Sequence, residues 1–131
     1  MTPINTWIVE DDASFRRTLK SLFDHEENIT CKRVFPSCIE MFDALETDEH
    51  PDLILMDLGL PGMNGVEGIR KLATLASDVA VIVITVFQEK EKVMDALDAG
   101  AAGYLLKTAT GAEIIQGIEQ VFHGAAALSP A

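Results

Sequence analysis

Five short apolar runs alternate with amphipathic stretches along this chain of 131 residues, and this alternation strongly constrains the fold. Several runs are apolar at consecutive positions, as is typical of parallel strands covered on both faces. The runs lie at 6–9, 29–35, 52–56, 80–85 and 103–106. The pattern predicts an α/β fold in which a strand–helix unit is repeated five times, giving a three-layer sandwich around a parallel sheet.

The amphipathic stretches carry helix signals at their ends. One predicted helix begins near Asp12 and has an apolar face made of Phe15, Leu19, Leu22 and Phe23. Further signals are two capping boxes, an N-cap and a C-terminal glycine: Ser37 with Glu40, Thr110 with Glu113, Asn64, and Gly100 after a helix around 88–98. The last helix has a wide apolar stripe, which we interpret as core or interface.

Charge and composition exclude several classes of function. The net charge of −11 would repel nucleic-acid phosphates, so the chain by itself is a poor DNA or RNA binder. No apolar run approaches the ~20 residues that span a bilayer, and no signal peptide opens the chain, so a cytoplasmic protein is expected. Cys31 and Cys38 match no zinc pattern and are expected to be free buried thiols.

Chemistry-bearing residues follow four of the five apolar runs. They are Glu10, Asp11 and Asp12 after the first run, Asp57 after the third, Thr85 at the end of the fourth and Lys107 after the fifth. In an open parallel sheet the functional site lies at the carboxyl ends of the strands. We therefore expect these residues to converge there, although Asp12 by itself reads as the N-cap of the first helix.

Such a cluster of carboxylates requires compensating charge. Two carboxylates ~4 Å apart repel by about 4 kcal/mol at an effective dielectric near 20. Lys107 supplies one positive charge, and Mg²⁺ (or Mn²⁺) fits the remainder. With the metal, Asp57 can act as a nucleophile toward phosphorus, while Lys107 and Thr85 contact the phosphoryl oxygens. Gly59 leaves room beside the carboxylate, and its carbonyl can face the metal.

The combination "VEDD…MDLGLPGMNG…IT…AGAAGYLLK" resembles bacterial two-component response-regulator receiver domains over residues 5–123. The resemblance implies a flavodoxin-like (βα)5 fold with strand order 2-1-3-4-5, in which a histidine kinase phosphorylates Asp57. It also implies that Asp11, Asp57 and the Gly59 carbonyl ligate magnesium, with Glu10 acting through water. Thr85 matches the switch hydroxyl, Lys107 the lysine of the site, and Tyr104 the aromatic residue whose ring turns inward.

Two departures from the family pattern concern the geometry of the site. Thr108 follows Lys107 where the family usually has proline after a cis bond, and a cis Lys107–Thr108 bond would cost about 2.5–4 kcal/mol. Val86 is larger than the usual residue after the switch hydroxyl and is expected to restrict the access of phosphate donors to Asp57.

The positions that flank the attacking water in this family are Gly59 and Phe87, and neither offers the water a polar side chain. Slow loss of the phosphoryl group is therefore predicted.

The C-terminal third is most similar to the NarL/FixJ class, whose receiver precedes a LuxR-type helix-turn-helix. We expect a receiver at 1–124 and the start of a linker at 125–131, with DNA contacts made by a further domain. The resemblance implies kinase contact through Arg16, Arg17 and Lys20, and pairing of copies through the first and fifth helices. The chain is thus expected to be a signalling phosphoacceptor that catalyses only its own phosphorylation and slow dephosphorylation.

Three alternatives remain at the level of sequence. A phosphatase of the haloacid-dehalogenase type also forms an aspartyl-phosphate, but it needs a general acid two residues after the nucleophile, where this chain has Gly59. A flavodoxin needs a glycine- and hydroxyl-rich phosphate loop after the first strand, where this chain has acids. The third alternative is a pseudo-receiver that serves only as a docking module.

Overall fold

The computed structural model describes residues 2–123, which form a five-stranded parallel sheet with the order β2-β1-β3-β4-β5. The strands are β1 (Ile4–Val9), β2 (Ile29–Phe35), β3 (Leu53–Met56), β4 (Ala80–Thr85) and β5 (Gly103–Leu106). The helices are α1 (Ala13–Asp24), α2 (Cys38–Thr47), α3 (Gly65–Leu75), α4 (Lys90–Ala99) and α5 (Gly111–Phe122). The predicted fold and strand order are confirmed. The predicted domain boundary at 124 and the linker at 125–131 lie outside the described residues.

Helices cover both faces of the sheet, so each face of the central strands is buried. One core cluster packs α1 and α5 against the sheet through Leu19, Phe23, Ile114 and Ile118. The other cluster lies beneath α2, α3 and α4. This burial on both sides explains why all four residues of β3 are apolar and buried.

The predicted capping residues lie at the ends of their helices, and only the predicted box at Ser37 is incomplete. Asp12 and Asn64 are the N-caps of α1 and α3, and Thr110 with Glu113 forms the capping box of α5. Ser37 caps α2 by accepting the Glu40 N–H, and the reciprocal half of that predicted box is not among its contacts. In α3 the box is complete through Glu67, which the sequence interpretation did not include.

Two glycines have a positive φ, a backbone conformation that other residues rarely adopt. Gly100 ends α4 with φ of +122°, and Gly62 turns the β3–α3 loop with φ of +72°. Both predicted buried thiols are confirmed as free cysteines, and burial raises the pKa of Cys31 and of Cys38 to about 11. These side chains therefore stay protonated and belong to the core.

Within residues 2–123, none of the helices has the length and apolar character needed to cross a bilayer.

Candidate functional site

The backbone ladder continues one residue beyond three of the strands, and this extension positions Glu10, Asp57 and Lys107. Their N–H groups donate to carbonyls of neighbouring strands at 2.9, 3.2 and 2.9 Å. Because parallel strands point the same way, the three side chains reach the same edge of the sheet. The convergence predicted from the strand ends is present for these residues.

Lys107 joins the two buried carboxylates. Its Nζ lies 2.8 Å from Oε1 of Glu10 and 3.0 Å from Oδ2 of Asp57. The side chain of Glu10 is 1% exposed, that of Asp57 9% and that of Lys107 18%. Burial acts to lower the pKa of Lys107, but hydrogen bonds and attraction to the two carboxylates outweigh it and raise that pKa. Lys107 is therefore a fixed positive charge in the site.

One ammonium does not neutralise this group of acids. Carboxylate oxygens of Glu10, Asp11 and Asp57 all lie within 4.8 Å of one another, and Asp11 is exposed. Burial raises the pKa of Glu10, and the hydrogen bonds from Lys107 and the Asp12 backbone offset part of that rise. Clustered hard oxygen donors with excess negative charge fit a divalent cation such as Mg²⁺.

Asp12 stands apart from this group, as its sequence position predicted. Its Oδ1 accepts the N–H groups of Ser14 and Phe15 at 2.9 and 3.1 Å, so the side chain serves the start of α1. Its own N–H donates to Oε2 of Glu10 at 3.0 Å, which holds that carboxylate in place.

The loop after β3 approaches Asp57 closely because of its glycines. The N–H of Gly59 donates to Oδ1 of Asp57 at 3.3 Å. A Cβ added to Gly65 would lie 2.4 Å from the backbone oxygen of Asp57, so a side chain there would displace the acidic residue. Glycine at position 65 thus lets α3 begin directly beneath the site.

The two predicted switch residues both hold the main chain of Phe87. Oγ1 of Thr85, which is 0% exposed, accepts the Phe87 N–H at 3.4 Å. The Tyr104 hydroxyl donates to the Phe87 carbonyl at 2.8 Å. These contacts link the end of β4 to β5. A movement of Thr85 that displaces the Phe87 main chain would therefore change the hydrogen bond of the Tyr104 hydroxyl.

Phe87 and Val86 face different surroundings. The Phe87 ring lies 3.4 Å from the position that a Gly59 Cβ would occupy, whereas Val86 is 64% exposed. Phe87 is therefore the apolar side chain placed against the β3–α3 loop. Restricted access caused by Val86 stays a prediction.

The β5–α5 turn has no cis peptide bond. Every peptide bond in residues 2–123 is trans, including Lys107–Thr108. The Ala109 N–H donates to the Leu106 carbonyl at 2.9 Å, which closes the turn without a proline.

Two residues of α1 contact the site in ways that the sequence interpretation missed. The Arg16 guanidinium donates to the Glu10 carbonyl at 2.7 Å, and the Phe15 ring lies beside the Lys107 ammonium. The first contact joins α1 to the loop before it, and the second joins α1 to the end of β5. Helical periodicity had assigned Phe15 only to the apolar face of α1.

Comparison with known families agrees with this geometry. The family model for the response regulator receiver domain matches residues 6–119. The chain belongs to the response regulator receiver domain family. The residues matched include Glu10, Asp57 and Lys107, the members of the ion-paired group.

Among curated relatives, the chain is similar to response regulators of the NarL/LuxR family. It is 41% identical to the response regulator UvrY of Escherichia coli over 123 residues, which cover 92% of this chain and 55% of UvrY. It is 33% identical to the nitrate/nitrite response regulator NarL of the same species, over 98% of this chain and 59% of NarL. The chain spans about half the length of the curated relatives it matches.

Solved structures extend the likeness to the fold. A LuxR-family response regulator from Aurantimonas sp. SI85-9A1 superposes with a TM-score of 0.86 at 27% identity, over 94% of this chain and 87% of that one. The receiver domain of a NarL response regulator from Mycobacterium tuberculosis gives a TM-score of 0.86 at 24% identity, over 95% and 99% of the two chains. The superpositions agree in fold with the family match, which makes this chain a receiver domain of the response regulators, the signalling proteins of two-component systems.

Proposed function

We propose that this receiver domain accepts a phosphoryl group from a sensor histidine kinase on Asp57 and thereby controls an output domain that regulates transcription. The observation that carries the proposal is the Lys107 ammonium held between the carboxylates of Glu10 and Asp57 at the carboxyl edge of the sheet. A carboxylate beside fixed positive charge in a largely buried site supports the role of Asp57 as the nucleophile.

The transfer exchanges one bond to phosphorus for another. A carboxylate oxygen of Asp57 attacks the phosphorus of a phosphohistidine, a P–O bond forms, and the P–N bond breaks. The imidazole nitrogen keeps the electron pair of that bond and takes a proton from solvent. Lys107, already 3.0 Å from Oδ2 of Asp57, stabilises negative charge on the phosphoryl oxygens.

Residues of the same site would hold the metal. We assign Asp11, Asp57 and the Gly59 carbonyl as Mg²⁺ ligands and place Glu10 at the metal through water. When bound, Mg²⁺ would neutralise charge on the phosphoryl group as it transfers. The Glu10 carboxylate remains fixed by Lys107 and by the Asp12 N–H, so it does not need to move.

The phosphorylated state would be read out through Thr85. Its hydroxyl contacts only the Phe87 N–H, at 3.4 Å, among the hydrogen bonds of the described residues, so it can turn to donate to a phosphoryl oxygen. That change would shift the Phe87 main chain, which also accepts the Tyr104 hydroxyl. The phosphate thus favours one of two arrangements of the β4–α4 loop, which is a population shift.

The kinase would meet the α1 side of the domain. Arg16, Arg17 and Lys20 border a surface groove of about 260 Å³. Arg16 donates to the Glu10 carbonyl and Lys20 pairs with Asp24 at 2.7 Å, whereas exposed Arg17 makes no such contact with the described residues. We also propose that phosphorylation promotes pairing of copies through α1 and α5, and that an output domain beyond this chain makes the DNA contacts.

Intact-protein mass spectrometry after incubation with acetyl phosphate and Mg²⁺ tests the proposal directly. The expected result is a gain of one phosphoryl mass that requires Mg²⁺ and is lost in Asp57→Asn. Asp12→Asn is the matched control, because this neighbouring acid serves α1 and is expected to leave phosphorylation intact.

A wild-type protein that takes no phosphoryl group from acetyl phosphate is then given phosphorylated histidine kinases. Continued absence of transfer would overturn the proposal and favour a pseudo-receiver. Turnover of phosphate esters without a stable acyl phosphate would instead favour a phosphatase.

A further inference from the structure

Phe15 borders the reactive group although it carries no polar side chain. It lies in the first turn of α1 and is half-buried. The Nζ of Lys107 lies 4.7 Å from the centroid of its ring. The ammonium is therefore bounded by the carboxylates of Glu10 and Asp57 and by the Phe15 ring.

An aromatic face suits this position for a physical reason. The ring quadrupole attracts a cation within about 6 Å of the centroid, and the attraction grows when the pair is shielded from water. The Lys107 side chain is 18% exposed, so that shielding is substantial. Unlike a third carboxylate, the ring adds no charge and does not compete for the hydrogen bonds of the ammonium.

We propose that Phe15 is a positioning residue for phosphoryl transfer, whose ring holds the Lys107 ammonium toward Asp57. The inference rests on the proposed function of Asp57. Once a phosphoryl group is bound there, the ammonium exchanges a carboxylate oxygen for a phosphoryl oxygen while the ring contact persists. The competing interpretation is that Phe15 serves only the core cluster beneath α1 and α5, against which it also packs.

Replacing the ring by an aliphatic side chain separates the two roles. Phe15→Leu keeps an apolar side chain for the core but removes the aromatic face, and Phe15→Tyr keeps the face. The rate of phosphorylation by acetyl phosphate, at saturating Mg²⁺, is followed by intact mass. A small donor is used so that loss of a kinase contact cannot alter the rate.

We expect Phe15→Leu to slow phosphorylation about five-fold, and Phe15→Tyr to stay within about two-fold of the wild type. The control is Leu22→Ala, which removes apolar packing from the same cluster about two helical turns along α1 from Phe15. It is expected to lower the melting temperature and leave the rate unchanged.

A spectroscopic measurement tests the contact without any phosphoryl donor. In the NMR spectrum of the unphosphorylated protein, the ring current of Phe15 should move the ε-methylene protons of Lys107 upfield. We expect that displacement to persist in Phe15→Tyr and to vanish in Phe15→Leu.

The outcomes distinguish this inference from the proposed function. A wild-type rate in Phe15→Leu, an equal slowing in Phe15→Tyr, or an equal slowing in Leu22→Ala would each overturn the positioning role while leaving Asp57 as the phosphoacceptor. A wild type that takes no phosphoryl group from any donor would overturn both, and the NMR spectrum would then show whether the ring contact exists without that chemistry.

Discussion

Glu10 is the residue at which the electrostatic demands of the site are greatest. Its side chain is 1% exposed, yet it shares the Lys107 ammonium with Asp57. Burial, together with the charge of Asp57, raises its pKa against the opposing hydrogen bonds from Lys107 and Asp12. The folded protein therefore binds a proton at Glu10 more tightly than the unfolded chain does.

This raised pKa predicts that Glu10→Gln stabilises the protein in EDTA. In the pH range between about 4.5 and the raised pKa, the folded state holds more protons at Glu10 than the unfolded state. The free energy of unfolding contributed by this group therefore falls as pH rises through that range. We expect the amide to raise the free energy of unfolding by about 1 kcal/mol at pH 7, measured by urea denaturation.

The gain should shrink as pH falls through the raised pKa of Glu10, where the folded wild-type carboxyl takes up its proton, and should be smallest below about 4.5, where the unfolded chain is protonated as well. Glu27→Gln is the control, because it changes the net charge equally at an exposed loop position. A lower stability of Glu10→Gln in EDTA would show that the ion pair with Lys107 outweighs the cost of burial.

We expect Phe87 to control a different property, the lifetime of the phosphorylated state. Its ring and Gly59 present no polar atom of a side chain to an attacking water, so hydrolysis of the acyl phosphate is expected to be slow. We predict that Phe87→Glu or Phe87→Asn shortens the phosphorylated half-life about ten-fold or more, because a polar group can then orient the water. Loss of the phosphoryl mass with time gives the half-life.

Gln88→Glu serves as the comparison, since it adds a carboxylate at the adjacent exposed position. Equal half-lives for Phe87→Glu and the wild type would reject this explanation of slow hydrolysis.

At the scale of the element, α4 is the most weakly anchored of the helices beside the site. Its buried residues are two alanines, Ala96 and Ala99, whereas α3 buries Ile69 and Leu72 and has a complete capping box. The N-cap of α4, Glu89, makes no side-chain cap hydrogen bond. Because α4 has so few apolar anchors, we expect it to be the helix that moves on phosphorylation.

Amide hydrogen exchange should therefore be faster in α4 than in α3, because local opening exposes little apolar surface. Glu89→Ser supplies the missing cap oxygen and is expected to stabilise α4 by about 1 kcal/mol, which slows its exchange about five-fold. Exchange is measured by mass spectrometry of peptic fragments. Gln88→Ser, one position before the cap, should leave the rate unchanged; equal slowing by both substitutions would refute the capping argument.

At the scale of the whole molecule, cations can stabilise this protein in two ways: by screening its net charge of −11 and by binding at the acidic edge of the sheet. Any salt screens the general repulsion, whereas Mg²⁺ can also bind the cluster of Glu10, Asp11 and Asp57. Only the second response depends on particular carboxylates.

At constant ionic strength, Mg²⁺ is expected to raise the free energy of unfolding by about 1.4 kcal/mol when present at about ten times its dissociation constant. The measurement is thermal unfolding over a magnesium titration, with sodium chloride adjusted to hold the ionic strength. Asp11→Asn should lose most of the gain, and Asp12→Asn should keep it. A gain that survives in Asp11→Asn would place the cation elsewhere.

Most of the fold was predictable because its signals are local or periodic. Apolar runs predicted the five strands, and cap residues such as Asp12, Asn64 and Thr110 predicted where helices begin. Errors fell at element ends: β1 begins at Ile4 instead of residue 6, and α4 at Lys90 instead of 88. The two extra residues of β1 pair with Ile29 and Thr30, a contact between distant parts of the chain that no local pattern shows.

The sequence by itself determined which chemistry-bearing residues follow the strands, because strand order and direction bring Glu10, Asp57 and Lys107 to one edge whatever the details of packing. Only the tertiary structure decided which of them touch and what holds them. The Phe15 ring beside Lys107, and the Tyr104 hydroxyl that donates to the Phe87 carbonyl, are contacts between elements far apart in sequence. Such contacts depend on how side chains pack across the edge of the sheet, and neither hydrophobic periodicity nor spacing along the chain predicts that packing.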